Sequence, residues 1–509
     1  MPKVRQNIPV PIIGLDVSKP GEFLDQRATP DCKNIEINRT VIQKRIGTSA
    51  LGTALGERLM AFFELKLSAL TYFLRIGLDK IELLNKTTLA WTDVTGAALT
   101  GAETDRFSAA FPTLSGAKIM VFTNGIDNIR KYTGTGNTAD LGGSPPKANY
   151  CVDFNSYLVL GYVAGGTYPS RVQWSDTGDP ETWTGGNTGS KDLLDDPEPI
   201  SGMSKWGDYI TVHKEKCIYL GYLTTTSTIF KFDRKPTGVG TVCNATVQTL
   251  KTGSQIFLAK DGIRLFNGIT APLIPSPIMD ELRENMNPTY LYKSWSVILE
   301  EKDEYWVGIA MGSDSEPNTI YKYNYMTGQV YKDYRENKTA CGVYEGSTQA
   351  TWASKTNTWN SDTTRWDFIE YQTLNPIVAF GSTTGLVTRR ISLNNDNGSV
   401  ISSYWCSKDY TAQDLGDGNL GQLVRWTALQ IWALGSGISL YYSTNSGSTW
   451  TLITTLSLIG TYPDDDNPLY GYFDVVSSKI RFKFENNEVD ESFSFKKFFI
   501  EATIREMRK

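Results

Sequence analysis

"SRVQWSDTGDPETWTGG", residues 170–186, decides how this chain is read. Two tryptophans, Trp174 and Trp183, bracket a polar turn built from Ser175, Asp176, Gly178, Asp179 and Pro180. An aromatic pair with carboxylates between could be a platform for a ligand such as a sugar. The same residues also make a fastener for a β-hairpin. Asp side chains accept hydrogen bonds from turn amides, Gly supplies positive φ, and Pro stiffens the exit. A buried indole removes about 150–250 Å² from water, worth about 4–6 kcal/mol as an upper bound. Two such indoles can pin a long loop, and the turn chemistry favours the fastener.

The sequence on either side supports a β-rich body. Aromatics make up 12% of the 509 residues and glycines number 45, a composition of β-sheets and tight turns. From about residue 56, short alternating strands and turns recur every ~40–50 residues, the spacing of four-stranded propeller blades. Turn signals include Asn124-Gly125, Asp261-Gly262 and Asn267-Gly268. The expected architecture is all-β. It has an extended N-terminal arm (1–55), a β-propeller of about six to eight blades (56–395) and a C-terminal β-sandwich-like domain (396–509). "SPIMDELRENM" spaces Ile278, Met279, Leu282 and Met286 as a helix does, which predicts a short helical insertion near 276–287.

Charge and composition narrow the function. Net charge is -5, without the basic surplus of a protein that grips phosphates. A mildly acidic wall would instead let DNA slide past without trapping it. The first sixteen residues contain no continuous apolar stretch, so no secretory leader is expected. The most apolar run, residues 59–84, is interrupted by Glu64, Lys66, Arg75 and Asp79, so no membrane insertion is expected. Cys32, Cys151, Cys217, Cys243, Cys341 and Cys406 form no CxxC pair and read as free buried thiols. The single histidine, His213, sits in the strand-like "YITVHKEKCIYL" and reads as a surface or interface residue.

Other motifs are structural too. "STNSGSTW" (443–450) matches the Asp-box hairpin at Ser443, Gly447, Thr449 and Trp450, with Asn445 where the pattern has Asp. "YPDDDNPLYGYFD" clusters Asp464, Asp465, Asp466 and Asp474, a set that could bind calcium but lacks EF-hand spacing. "GTGNTADLGGSPPK" (134–147) lacks the Gly-Lys-Ser/Thr ending of a phosphate loop. "LEEKDEYW" (299–306) reads as a charged hairpin turn. No catalytic residues, cofactor or metal ligands are assigned, and no enzyme is expected.

The arm and the tryptophan hairpin together resemble a family. Tail proteins of short-tailed bacteriophages carry a "Gly-x-Asp … Asn … Lys-Arg-x-Gly" arm, matched here by Gly14, Asp16, Asn34, Lys44, Arg45 and Gly47. They also carry a segment matched by Arg171, Val172, Trp174, Ser175, Asp176, Gly178, Asp179, Pro180 and Trp183. The chain is similar to tail hub or nozzle proteins, also called packaged-DNA stabilisation proteins, mainly over residues 10–270. The resemblance implies a structural virion protein: a propeller in a homohexameric ring below the portal and its adaptor. Such a ring continues the DNA ejection channel, retains the genome and docks fibres or a plug or needle. Its implied partners are further copies of itself, the portal-adaptor protein, those tail parts, and genomic DNA passing without sequence-specific binding. The implied location is the virion tail, after synthesis in the host cytoplasm, with the arm clasping a neighbouring subunit or the adaptor. The alternative is a carbohydrate-binding or glycan-cleaving propeller, which predicts converging carboxylates and aromatics at the propeller centre.

Overall fold

The computed structural model describes residues 4–8, 13–38, 41–67, 70–224, 228–274, 276–346, 376–416, 418–458 and 468–505. Seven small antiparallel sheets follow one another along the chain. The first four each have four strands: Ala61–Asp93, Ser108–Asp140, Ala148–Asp192 and Ile200–Lys235. The fifth has three, Gln248–Thr249, Gln255–Ala259 and Gly262–Phe266, with a lone bridge between Arg264 and Leu273 in place of a fourth. The sixth spans Trp295–Tyr334, and the seventh is built on Lys338–Tyr344, Ile377–Ser382 and Val387–Arg390.

The packing of these sheets identifies the fold. An antiparallel sheet with two apolar faces must bury both. Six of the seven successive pairs of sheets enclose their own hydrophobic cluster, and sheets five and six meet in a larger one. Leu65 and Leu74 of the first sheet meet Met120 and Phe122 of the second, and Trp295 and Trp306 of the sixth meet Phe380 of the seventh. The cluster of Phe62, Phe73, Ala340 and Tyr344 joins the seventh sheet back to the first. The circle is therefore closed, and the fold is a seven-bladed β-propeller. Its ring is locked by the arm, because Thr48–Ala50 pairs antiparallel with Val387–Arg390 as the fourth strand of blade seven.

The arm is woven into its own chain. Gly14–Leu15 and Ala28–Thr29 extend blade six through parallel pairing with Val330. Cys32–Lys33 pairs with Ser403–Cys406, and both Val4–Ile8 and Val41–Lys44 pair with Phe493–Ile504. These last contacts lie in a β-sandwich. One of its sheets contains Leu469–Ser477, Val424–Gly435, Phe493–Ile504, Val41–Lys44 and Ile35–Asn38. The other contains Cys32–Lys33, Ser403–Cys406, Lys479–Asn486, Gly437–Ser443 and Thr451–Ser457. Lys479–Asn486 alternates half-buried and buried residues along its whole length, the period-two signature of a strand over a core. The described arm strands, expected to clasp a neighbouring subunit, thus pair within the chain. An intramolecular partner at the end of a folded domain costs less ordering entropy than a separate molecule.

The sandwich and propeller share one core. Trp405, Phe484 and Phe498 of the sandwich belong to the same buried cluster as Ile256 of blade five and Tyr305 of blade six. A short helix, Met279–Asn285, covers part of this cluster with Leu282.

Candidate functional site

The tryptophan loop is internally satisfied. The Asp176 carboxylate accepts from the amides of Thr177 at 2.8 Å and Asn187 at 3.0 Å. Asp179 accepts from the Glu181 amide at 2.9 Å and the Thr182 hydroxyl at 2.8 Å. Gly178 has φ +73° and donates to the Ser156 carbonyl. The Trp183 indole donates to the Pro180 carbonyl at 3.0 Å, and the Trp174 indole to that of Asn187 at 3.1 Å. The two rings enter different cores. Trp174 packs among residues of blades three and four, 4.9 Å from the Phe230 ring, whereas Trp183 sits between blades two and three. Glu181 adds a tie to blade two, accepting from Lys131 at 2.6 Å. The loop bolts three blades together and offers no open aromatic face.

The Asp-box-like hairpin lies in the sandwich, between Gly437–Ser443 and Thr451–Ser457. Asn445 does the work of the usual Asp, accepting from the Thr449 amide at 2.9 Å while its amide group donates to the Thr449 hydroxyl. Ser443 accepts from the Gly447 amide at 2.9 Å, and Trp450 is half-buried under the Lys483 ammonium.

The arm motif builds a buried ion-pair junction. Arg45 is fully buried and donates to Asn34 at 2.9 Å and to both oxygens of Asp396, at 3.0 and 2.5 Å. Arg335 reaches Asp396 at 3.2 Å. Lys322 bridges Asp333 at 2.7 Å and Glu36 at 3.0 Å, and Arg390 holds Glu36 at 2.8 Å. Lys44 donates to Asn486 of the sandwich at 2.8 Å. Burial alone would raise the pKa of Asp396. Its hydrogen bonds and the charges of Arg45 and Arg335 outweigh that and hold it well below the carboxylate range. The same contest, against Arg390, Lys322 and Lys302, holds Glu36 far below its ordinary value. Two glycines make the junction possible. A Cβ at Gly47 would lie 1.8 Å from the Asn395 carbonyl oxygen, and one at Gly14 (φ +89°) 2.4 Å from that of Val330. Asp16, the remaining arm position, accepts from the Ser18 amide and hydroxyl in an exposed turn.

At the propeller axis lies a cavity of about 970 Å³. Every blade lines it, through residues such as Phe62, Ala109, Val152, Ser204, Gln248, Val297 and Gly342. At one end Arg106 lines it, and beside Arg106 lies a four-charge cluster. Arg58, before blade one, binds Glu316 of blade six at 2.7 and 2.6 Å and Glu103 at 3.2 Å. Lys293 binds the same two carboxylates at 2.9 and 3.2 Å. The other end carries Lys66, Asp153, Lys205, Glu300 and Glu345, with Lys66 and Glu345 paired at 2.5 Å. Burial raises the pKa of Asp153.

Other candidates fall elsewhere. His213 is not a surface residue. It is fully buried between blades four and five, with Nε2 3.1 Å from Gln255 and its ring edge-on to Phe257. Burial pushes its pKa down to about 4. The six cysteines are free, and burial pushes Cys32, Cys151 and Cys217 up to about 12, far from a reactive thiolate. Asp464, Asp465 and Asp466 lie outside the described residues, and Asp474 forms an exposed pair with Arg425 at 2.6 Å. Among the described residues, no group of three or more His, Cys, Asp or Glu is placed to hold a metal ion. No described helix is long and apolar enough to cross a membrane.

Sequence reasoning missed the carboxylates of the junction and the whole four-charge cluster. The signal for the junction was present in Lys44-Arg45-x-Gly47, but its partners lie hundreds of residues away. No family model matches the chain, and no curated protein matches it. Among solved structures, it is similar to BamB from Moraxella catarrhalis at 11% identity and TM-score 0.36, over 70% of this chain and 93% of that one. It is similar at 11% identity and TM-score 0.36 to PorZ, a surface component of the type-IX secretion system of Porphyromonas gingivalis, over 71% of this chain. The matched region spans 42% of PorZ. The propeller assignment rests on the seven sheets and their closure, not on these likenesses.

Proposed function

We propose that the chain is a structural subunit of a tail hub or nozzle of a short-tailed bacteriophage, and not an enzyme. The observation that carries this reading is the convergence of Gly14, Asn34, Lys44, Arg45 and Gly47 on the junction between propeller and sandwich. The part of the sequence that resembles the family's arm has a mechanical role here. It closes the propeller, adds strands to the sandwich and joins the two through buried ion pairs. A ring that retains a packaged genome carries load, and a subunit with one shared core and a stitched junction resists bending between its domains.

Identical subunits enclose a channel by head-to-tail contacts around a rotation axis. The cavity of a single propeller, about 970 Å³, is too small to pass a duplex, so a DNA conduit would run between copies. With a net charge of -5, such a conduit need not trap phosphates. Docking of the adaptor, fibres or a plug would use the outer surfaces of the ring. Electron microscopy of the purified chain and of virions tests the proposal. The expected image is a six-fold ring with an open centre at the end of the portal and adaptor. A chain that stays monomeric at micromolar concentration and binds on a glycan array would replace the proposal with the carbohydrate reading.

A further inference from the structure

At one end of the axial cavity, Arg106 makes no ion pair among the described residues. Arg106, just before the inner strand of blade two, lines the cavity. A guanidinium stays charged at any pH at which a protein is folded. Its one hydrogen bond is a long one, 3.5 Å from Nη2 to the Thr339 carbonyl of blade seven, and Nη1 has no acceptor. The neighbouring carboxylates are already engaged: Glu103 and Glu316 are shared by Arg58 and Lys293. Two anions thus balance two cations, and Arg106 is the third. Burial is the largest influence and works against its charge; Arg58 repels it, and Glu316, already shared by two cations, attracts it. Arg58 itself has Nε closed off from solvent without an acceptor. Arg106 is half-buried, with Nη1 closed off from solvent, and an unmet charged donor facing a cavity favours an anion there.

We propose that the Arg106 end of the axial cavity is an anion site, in which Arg106 holds the carboxylate or phosphate group of a small solute. The open mouth supplies the route and the selection. Its acids, Asp153, Glu300 and Glu345, outnumber its lysines, Lys66 and Lys205, and disfavour polyanions such as nucleic acid. Apolar walls at Phe62, Val152 and Val297 suit a solute that carries a hydrocarbon body behind its charged group. The proposal goes beyond the nozzle reading and does not depend on it.

The test is thermal denaturation of the full chain in sodium chloride, sodium phosphate and sodium acetate at one ionic strength. The wild-type midpoint is expected to rise in phosphate, in acetate or in both relative to chloride, and the salt that raises it identifies the oxyanion. In Arg106→Gln the rise should vanish. In Arg106→Lys, which keeps the charge without the planar fork, the apparent affinity should fall about tenfold. Lys205→Gln, at the open mouth, should leave the rise in place. An equal rise in Arg106→Gln, or a wild type indifferent to both anions, overturns the site. If Arg106→Gln does not fold, crystals of the wild type grown with selenate decide. An anomalous peak within hydrogen-bond distance of Arg106 supports the site, and a clean map there rejects it.

Discussion

Arg45 and Asp396, 351 residues apart, form a two-bonded ion pair at the point where arm, propeller and sandwich meet. Arg45 is 1% exposed. Removing it leaves Asp396 and Asp333 with Arg335 and Lys322 alone, and breaking a buried pair from one side costs about 3–5 kcal/mol. Arg45→Met should therefore lower the urea midpoint sharply. Arg45→Met with Asp396→Leu should recover part of the loss, because a cation and an anion are then removed together and Arg335 keeps Asp333 at 3.8 Å. Equal loss in the single and double variants would show that the pair acts through packing and not through charge.

Gly47 tests whether the arm needs its close approach to the chain at Asn395. An added Cβ meets a backbone carbonyl, which cannot swing aside as a side chain would. Gly47→Ala should cost about 1–3 kcal/mol through overpacking. It should also loosen the strands around it, so limited proteolysis should cut within 391–402 at protease levels that leave the wild type intact. Gly185→Ala, whose Cβ meets nothing within 4 Å but whose φ is +76°, gives for comparison the cost of backbone strain without a clash.

The β character and the hairpins were legible in the sequence because turn residues and alternation are local signals. The blade number was not. Blade five has three strands, and blades six and seven take strands from the first fifty residues, so the repeat is broken where the circle closes. The tryptophan loop was legible as a fastener because its hydrogen bonds span a dozen residues. The junction was not, since a buried ion pair depends on partners that only the fold brings together. His213 misled for a related reason. Lys214, Glu215 and Lys216 flank it and suggest solvent, yet Lys214 is itself fully buried, its ammonium donating to the Ser170 hydroxyl and to the carbonyls of Leu193 and Asp196.

Trp174 and Trp183 fill different inter-blade cores, so each should matter to stability separately. Trp174→Ala and Trp183→Ala should each cost about 3–5 kcal/mol. Asp176→Asn and Asp179→Asn, which keep the shape and weaken the turn bonds, should cost about 1 kcal/mol. Chemical denaturation monitored by circular dichroism measures all four. If either tryptophan variant keeps full stability and loses glycan binding instead, the loop is a platform after all.

His213 gives the chain a pH dependence with a defined sign. Its folded pKa is about 4, below the ordinary value of 6.5, because burial disfavours the imidazolium. Between those values the unfolded chain binds the proton and the folded chain does not, so stability rises with pH there. The contribution is fully present above pH ~6.5 and is lost as pH falls toward ~4. A shift of that size corresponds to about 3 kcal/mol as an upper limit. The depressed carboxylates Glu36 and Asp396 add a loss of the same sign, but at lower pH, below their unfolded values near ~4. His213 is the only histidine, but burial and Asp79 raise Glu57 to about 7, and its titration between pH 7 and pH 5 has the opposite sign, so the imidazole is read from the difference between wild type and His213→Gln. In urea melts across that window, acidification should cost the wild type more stability than it costs His213→Gln. An unchanged slope in the variant would mean that the imidazole is not kept neutral between the blades.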